Sequence, residues 1–217
     1  MPAQSQHTAS YYAASARQPA PYPSLAGDLS ADVCVVGGGL TGVNPALELA
    51  ERGPSAVLLE GRRIRWGASA RNGGPLTRGN GHAVSGFPRH VGQEGLRYLK
   101  QAGIDSVTLV ADRIARYGIA CDLRWGFCEL ANTPAQFESF VAEQDDLTSL
   151  GYRPETRLVS AERLHEVVAS DRYAGGMVDM GSGHLHPLDL VQGEARAAAG
   201  LGVQLLQPTR SVERRLG

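Results

Sequence analysis

The chain has little cysteine, almost no lysine and no long apolar run. Its three cysteines, Cys34, Cys121 and Cys128, fall at no metal-binding spacing and outline no disulfide framework. Neither a cysteine-bound metal nor a set of disulfides therefore organises the fold, and a reducing compartment suits it. Cys34 lies in an apolar, β-branched run and is expected to be a small buried hydrophobe. Of the 21 basic residues only Lys100 is a lysine; against 22 acidic residues the formal charge is −1. A balance this even gives no field to draw nucleic acid or an anionic membrane. No run of 18 apolar residues occurs, and the N-terminus lacks an apolar signal segment. The expectation is a soluble, cytoplasmic chain with no nucleic-acid and no membrane partner. At 217 residues and 42% apolar content, there is material for one ordinary domain or one and a half.

What is present is concentrated between Asp32 and Glu60. The run Val33-Cys34-Val35-Val36 reads as a buried strand and ends in G-x-G-x-x-G, with glycines at 37, 39 and 42 and Gly38, Leu40 and Thr41 between them. Leu40, Val43, Leu47 and Ala50 then recur at helical spacing, and Ala56-Val57-Leu58-Leu59 forms a second strand ending on Glu60. Strand, glycine turn, helix and strand make the first half of a dinucleotide-binding unit. Gly37 permits the tight turn, Gly39 lets a pyrophosphate lie on the backbone, and Gly42 lets helix and sheet close up. The helix N-terminus offers its free N–H groups to the phosphates. Glu60, 23 residues after Gly37, stands where an acid accepts a ribose hydroxyl and disfavours a phosphate on that ribose. Pro45 breaks the helical pattern at about its sixth position, where a proline costs about 3 kcal/mol and is expected to kink or weaken the helix.

The remaining segments are read in order. Residues 1–27 are an arm rich in Ala, Ser, Gln, Pro and Tyr, either disordered or pinned by Tyr11, Tyr12 and Tyr22. Residues 61–88 form a long loop, of the kind that is functional or disordered. A helix is expected over 92–118, broken at Gly103, then a strand at 126–131 and a helix at 134–149 opened by Pro134. A short helix follows at 160–168, then glycine-rich β or irregular chain at 173–186, a helix at 188–199 and a strand at 203–206. His184 and His186 form H-x-H, but only Asp179 and Asp189 lie near, and His82, His90 and His165 are isolated, so no metal site is expected.

Several stretches together carry a family resemblance. Ser10-Tyr11-Tyr12-Ala13-Ala14-Ser15-Ala16, the strand and turn from Asp32 to Gly42, and Gly67-Ala68-Ser69-Ala70-Arg71-Asn72-Gly73-Gly74 are three of them. Ala169 to Tyr173 and Gly183 to Leu190 are two more. The chain resembles the N-terminal half of FAD-dependent amine oxidases of the D-amino-acid oxidase and glycine oxidase superfamily, and within it the bacterial gamma-glutamylputrescine oxidoreductases. The resemblance implies an α/β fold in which a Rossmann-like FAD-binding sheet is interleaved with part of an antiparallel substrate domain. It implies FAD as cofactor, a small-molecule amine as substrate, and Ser69, Arg71, Asn72, Gly73 and Gly74 beside the flavin. It implies hydride removal from the carbon bearing the amine, and it assigns no catalytic residue here.

The departures from the family pattern are Pro45, Gly61, Arg65, Ala70 and Pro75. A residue needing positive φ at Ala70 would be strained there. Thr209-Arg210-Ser211-Val212 aligns with the family's next strand only across a gap. The expected division is an arm at 1–27, an FAD-binding segment at 28–118, a partial substrate domain at 119–185 and a return to the FAD-binding domain at 186–217. The resemblance further implies a truncated chain with an exposed sheet edge. Three other readings stay open: an inactive fragment, half of a two-chain oxidase completed by a second polypeptide, and a plain NAD-binding module.

Overall fold

The computed structural model describes residues 10–17, 21–79 and 88–209. His82, and the part of the 209–212 stretch from Arg210 onwards, lie outside the described residues. The chain divides into two compact units, one made of Met1–Gly74, Asp112–Asp122 and His186–Gly217, the other of Pro75–Ala111 and Leu123–Leu185. Residues 75–111, expected with the cofactor-binding segment, thus group with the second unit.

The first unit is built on a parallel sheet of β1 (Val33–Val36), β2 (Ala56–Leu59) and β7 (Gln204–Leu206), in the order β1-β2-β7. Val33 pairs with Ala56 and Val36 with Leu59, and Leu58 pairs with Leu205. Helices α2 (Leu40–Arg52) and α5 (Pro187–Gly200) cover one face. Val43, Ala46 and Leu47 from α2 meet Val191, Ala195 and Ala198 from α5 over Ala56, Leu58 and Leu205, forming the core of the unit. Removing a core side chain such as Leu47 would cost about 2–5 kcal/mol. Helix α2 runs unbroken through Pro45, which is exposed, as is Thr41 four residues back. The Thr41 carbonyl left without its helical N–H thus belongs to an exposed residue on the solvent side of the helix, within reach of water.

Strand β1 corrects one expectation. Among the described residues it pairs only with β2, and its burial alternates. Val35 packs on the core, whereas Cys34 is exposed and Val36 is 66% exposed on the opposite face. Cys34 is therefore no buried hydrophobe, because no described residue covers its side of the strand.

The second unit is an antiparallel sheet in the order β3-β6-β4, formed by β3 (Pro75–Leu76), β6 (Gly175–His184) and β4 (Arg124–Ala131), with β5 (Thr156–Ser160) also paired to β6. The long loop thus ends earlier than expected, at a short strand that pairs Pro75 with His184. Helix α4 (Pro134–Ser149) has the expected bounds, with Thr133 accepting the Gln136 N–H as N-cap and Phe140 and Leu147 buried. The segment after Ser160 is a 3-10 helix over Ala161–Glu166. Helix α3 (Pro88–Arg116) is interrupted at Gly92, where φ is 68°, and not at Gly103. Gly103 is there for another reason: a Cβ on it would lie 2.8 Å from the Gly79 nitrogen. Asp179 is 3% exposed and accepts hydrogen bonds from Arg78 Nε (2.9 Å), Tyr152 Oη (2.8 Å), Ser182 Oγ (2.7 Å) and the Gly181 N–H (2.9 Å). It is committed to the interior of this unit, whereas His184, at the far end of the same strand, is exposed.

Candidate cofactor site

The glycine turn sits between β1 and the N-terminus of α2. Gly37 has φ 107°, a conformation that side chains rarely adopt. A Cβ at Gly42 would lie 1.9 Å from the Gly37 carbonyl oxygen, so only hydrogen fits there. The Gly37 N–H donates to the Leu59 carbonyl at 2.8 Å, which ties the turn to β2.

Glu60 at the end of β2 reaches back to the turn. Its Oε2 accepts the Gly38 N–H at 2.7 Å and its Oε1 accepts the Arg62 N–H at 2.7 Å. Each carboxylate oxygen keeps a further lone pair, so the acid braces the turn and retains capacity to accept from another donor. The loop then folds over the helix end. Ser69 is the middle residue of the short 3-10 turn over Ala68–Ala70, and its Oγ accepts the Leu40 N–H at 2.9 Å. A Cβ on Gly39 would come within 2.9 Å of that same oxygen. The serine hydroxyl thus lies against the α2 N-terminus, where anions are favoured.

Beyond Ser69 the loop braces itself. Asn72 Nδ2 donates to the Ser69 carbonyl at 3.1 Å, and Asn72 Oδ1 accepts the Gly74 N–H at 2.8 Å. Arg71 donates to the Trp66 carbonyl at 2.9 Å, and the guanidinium groups of Arg62 and Arg71 lie over the Trp66 ring at 3.7 and 4.5 Å. These two arginines are held by an aromatic face. Ala70 does not have positive φ, so the strain anticipated there is absent. It appears instead at Arg65, with φ 74°. Arg65 donates its N–H to the Gly38 carbonyl at 2.7 Å, is 5% exposed, and has no hydrogen-bond partner for Nη1. Burial, then the neighbouring Arg63, lowers its pKa to about 10.

Of the sequence-derived candidates, Gly37, Gly38, Gly39, Leu40, Glu60 and Ser69 are brought together by direct hydrogen bonds or close approach; Thr41 and Gly42 open α2 beside them. Arg71, Asn72, Gly73 and Gly74 continue from Ser69 along the same loop. The cradle suits a dinucleotide: bare glycine backbone at a helix N-terminus, a carboxylate at the neighbouring strand end, and a hydroxyl-bearing loop across both.

Two features escaped the sequence reading. Glu194 on α5 is fully buried under α2 and its Oε1 has no partner. Its Oε2 accepts from Asn44 Nδ2 at 3.1 Å, while Asn44 Oδ1 accepts from Arg113 Nη1 at 2.5 Å and Arg113 Nη2 donates to Glu48 at 2.6 Å. Burial raises the Glu194 pKa from 4.5 to about 7, against the opposing influence of Arg113 and Asn44. The signal was in the sequence: Glu194 interrupts the apolar stripe Leu190, Val191, Ala195, Ala198. The H-x-H pattern presents His186 only as a potential metal ligand. It N-caps α5, accepting the Asp189 N–H on Nδ1 at 3.1 Å.

A strand–turn–helix cradle of this kind defines an α/β dinucleotide-binding protein. The profile of the FAD dependent oxidoreductase family matches residues 32–217, and the chain belongs to that family. It is 40% identical over 192 residues to the gamma-glutamylputrescine oxidoreductase of Escherichia coli (strain K12), covering 88% of this chain and 45% of that protein. Among solved structures it is similar to glycine oxidase from Bacillus cereus ATCC 14579, with TM-score 0.62, 21% identity, and coverage of 87% of this chain and 49% of that one. It is also similar to L-amino acid deaminase from Proteus vulgaris, with TM-score 0.65, 22% identity, and coverage of 91% and 45%. The chain therefore spans about half the length of the relatives it matches. The family's cofactor is FAD, which answers the choice between flavin and a plain NAD module. Among the described residues no helix is long and apolar enough to cross a membrane.

Proposed function

We propose that the first unit holds the FAD of an amine-oxidising flavoenzyme, with gamma-glutamylputrescine as the substrate most in keeping with its relatives. The observation that carries this reading is the meeting of Ser69 with the glycine turn, which joins the loop and the helix N-terminus into one cradle. Gly39, Leu40 and Thr41 would present backbone to the diphosphate, and Glu60 would accept the ribose hydroxyls. Ser69 would exchange its bond to Leu40 for a phosphate oxygen, and the Arg71–Gly74 segment would run past the ring. When bound, FAD supplies the hydride acceptor for the carbon bearing the amine, with oxygen taking the electrons on to peroxide. The chain's own residues bind, orient and fix backbone, and no proton-transfer residue is assigned.

The second unit is read as part of a substrate domain, and the chain as acting in the cytoplasm. A second polypeptide completing the enzyme is favoured by the bare outer face of β1, where Cys34 and Val36 are exposed. The test is the visible absorbance of the purified chain with its released cofactor identified, followed by peroxide production from gamma-glutamylputrescine with and without a chain supplying the rest of the relatives' length. Bound FAD supports the site. A chain that stays colourless with excess FAD overturns it, and peroxide produced only with the second polypeptide establishes the two-chain form.

A further inference from the structure

We infer that the N-terminal helix is a clasp that sets the orientation of the Gly73–Gly74 peptide, with Tyr12 as its positioning residue; this rests on reading that loop as part of the FAD site. Helix α1 (Tyr11–Ser15) is capped by Ser10, whose hydroxyl accepts the Ala13 N–H at 3.2 Å. Its side chains reach separate parts of the first unit. Tyr12 Oη donates to the Gly73 carbonyl at 2.9 Å. The Tyr12 ring meets the His186 imidazole edge-on, with centroids 4.9 Å apart at 78°.

Ser15 Oγ donates to the Tyr11 carbonyl at 2.7 Å and lies 3.1 Å from His186 Nε2. Because that hydroxyl's proton is committed and His186 Nδ1 accepts from Asp189, the network assigns the ring proton to Nε2, which donates to Ser15. The Arg17 N–H donates to Asp189 Oδ1 at 3.0 Å, and its guanidinium donates to the Ala120 carbonyl. Eight residues are thus fastened to the loop at 73, the turn at 120 and the N-terminus of α5.

The consequence falls on one peptide plane. The carbonyl of Gly73 and the N–H of Gly74 belong to the same peptide group. Tyr12 holds the first and Asn72 Oδ1 holds the second. Gly74 has φ 79°, and with glycine on both sides no Cβ opposes the turning over of this peptide. The two hydrogen bonds choose one orientation, and Tyr12 supplies the one that comes from outside the loop. The arm therefore acts on the cofactor loop through a single phenol.

The experiment compares the wild-type chain with Tyr12→Phe and Ser15→Ala by hydrogen exchange, with FAD titration in parallel. Tyr12→Phe keeps the ring on His186 and removes only the donor. Amides of 72–76 are expected to exchange about fivefold faster, the factor that one hydrogen bond of average net worth carries. Amides of 40–59 keep their wild-type rates. Ser15→Ala, which removes the hold of the helix on His186, moves the same amides in the same direction. FAD affinity falls by a similar factor, and the fluorescence quenching of bound flavin decreases. Wild-type exchange at 72–76 in both variants overturns the clasp, as does faster exchange spread equally over 40–59. Failure of the wild-type chain to take up FAD counts against the functional reading alone, since the exchange result still decides the clasp.

Discussion

Replacing Glu194 by glutamine separates the charge of this buried group from its shape. In the folded chain its pKa stands near 7 against an ordinary 4.5, because burial opposes the charged form. A raised acid favours folding most below its unfolded pKa and loses that advantage as pH rises through the folded one. Stability contributed by the protonated form is full below about pH 4.5, declines between there and about pH 7, and is gone above. At about 1.4 kcal/mol per tenfold change, the whole span is about 3 kcal/mol, of which about 2.5 kcal/mol falls between pH 5 and 8. Glutamine keeps an acceptor for Asn44 and cannot ionise, so Glu194→Gln should gain about 2.5 kcal/mol on wild type between those two pH values. The unit reports on itself: Trp66 belongs to it and Trp125 to the other, so urea unfolding read by Trp66 fluorescence in a Trp125→Phe background isolates its transition. Carboxylates that shift the other way, such as Glu51 held down by its hydrogen bond from Tyr117, are common to both proteins and cancel. A difference that stays flat from pH 5 to 8 would refute the argument, because it would mean that Glu194 is charged throughout or is reached by water.

Other substitutions address the site and the fold. Gly39→Val places a branched side chain against the Ser69 hydroxyl and should abolish FAD binding in an absorbance titration; unchanged binding would sink the site assignment. Pro45→Ala restores an N–H within α2 and should raise the urea midpoint, by up to about 3 kcal/mol in stability, the cost of proline in a helix interior; an unchanged midpoint would mean that water already serves Thr41 fully. Asp179→Ala strips a buried acceptor from Arg78, Tyr152 and Ser182, and chemical unfolding of the second unit should show a loss of about 3–5 kcal/mol. A loss below about 1 kcal/mol would place those partners in water instead.

The first unit was legible in the sequence because its signals are local. Gly37, Gly39, Gly42 and Glu60 each answer to a backbone requirement within a strand, a turn or a helix end, and those requirements survive without knowledge of what packs where. Helix α4 was legible in the same way, from Pro134 and its apolar spacing. What was not legible depends on partners distant in the chain. Cys34 reads as buried from its neighbours, yet its burial is decided by what lies beside β1. Gly103 reads as a helix break, but its glycine serves the approach of Gly79. His186 reads as half of a metal motif, although its ring is shared between the Asp189 N–H and Ser15, 171 residues away. Arg65 stands out in the sequence only as a departure from the family pattern, and the structure places it at a positive φ, a conformation that glycine adopts most readily.

The outer face of β1 has a practical consequence for handling this chain. Among the described residues β1 is paired on one side only, and such a strand, with Val36 66% exposed and Cys34 exposed near it, is a template for a second molecule. Concentration will favour edge-to-edge association, and air will lock such pairs through sulfur. Size measurements made without reductant will then report on storage history, so a dimer carries meaning only if it persists when the thiol is kept reduced.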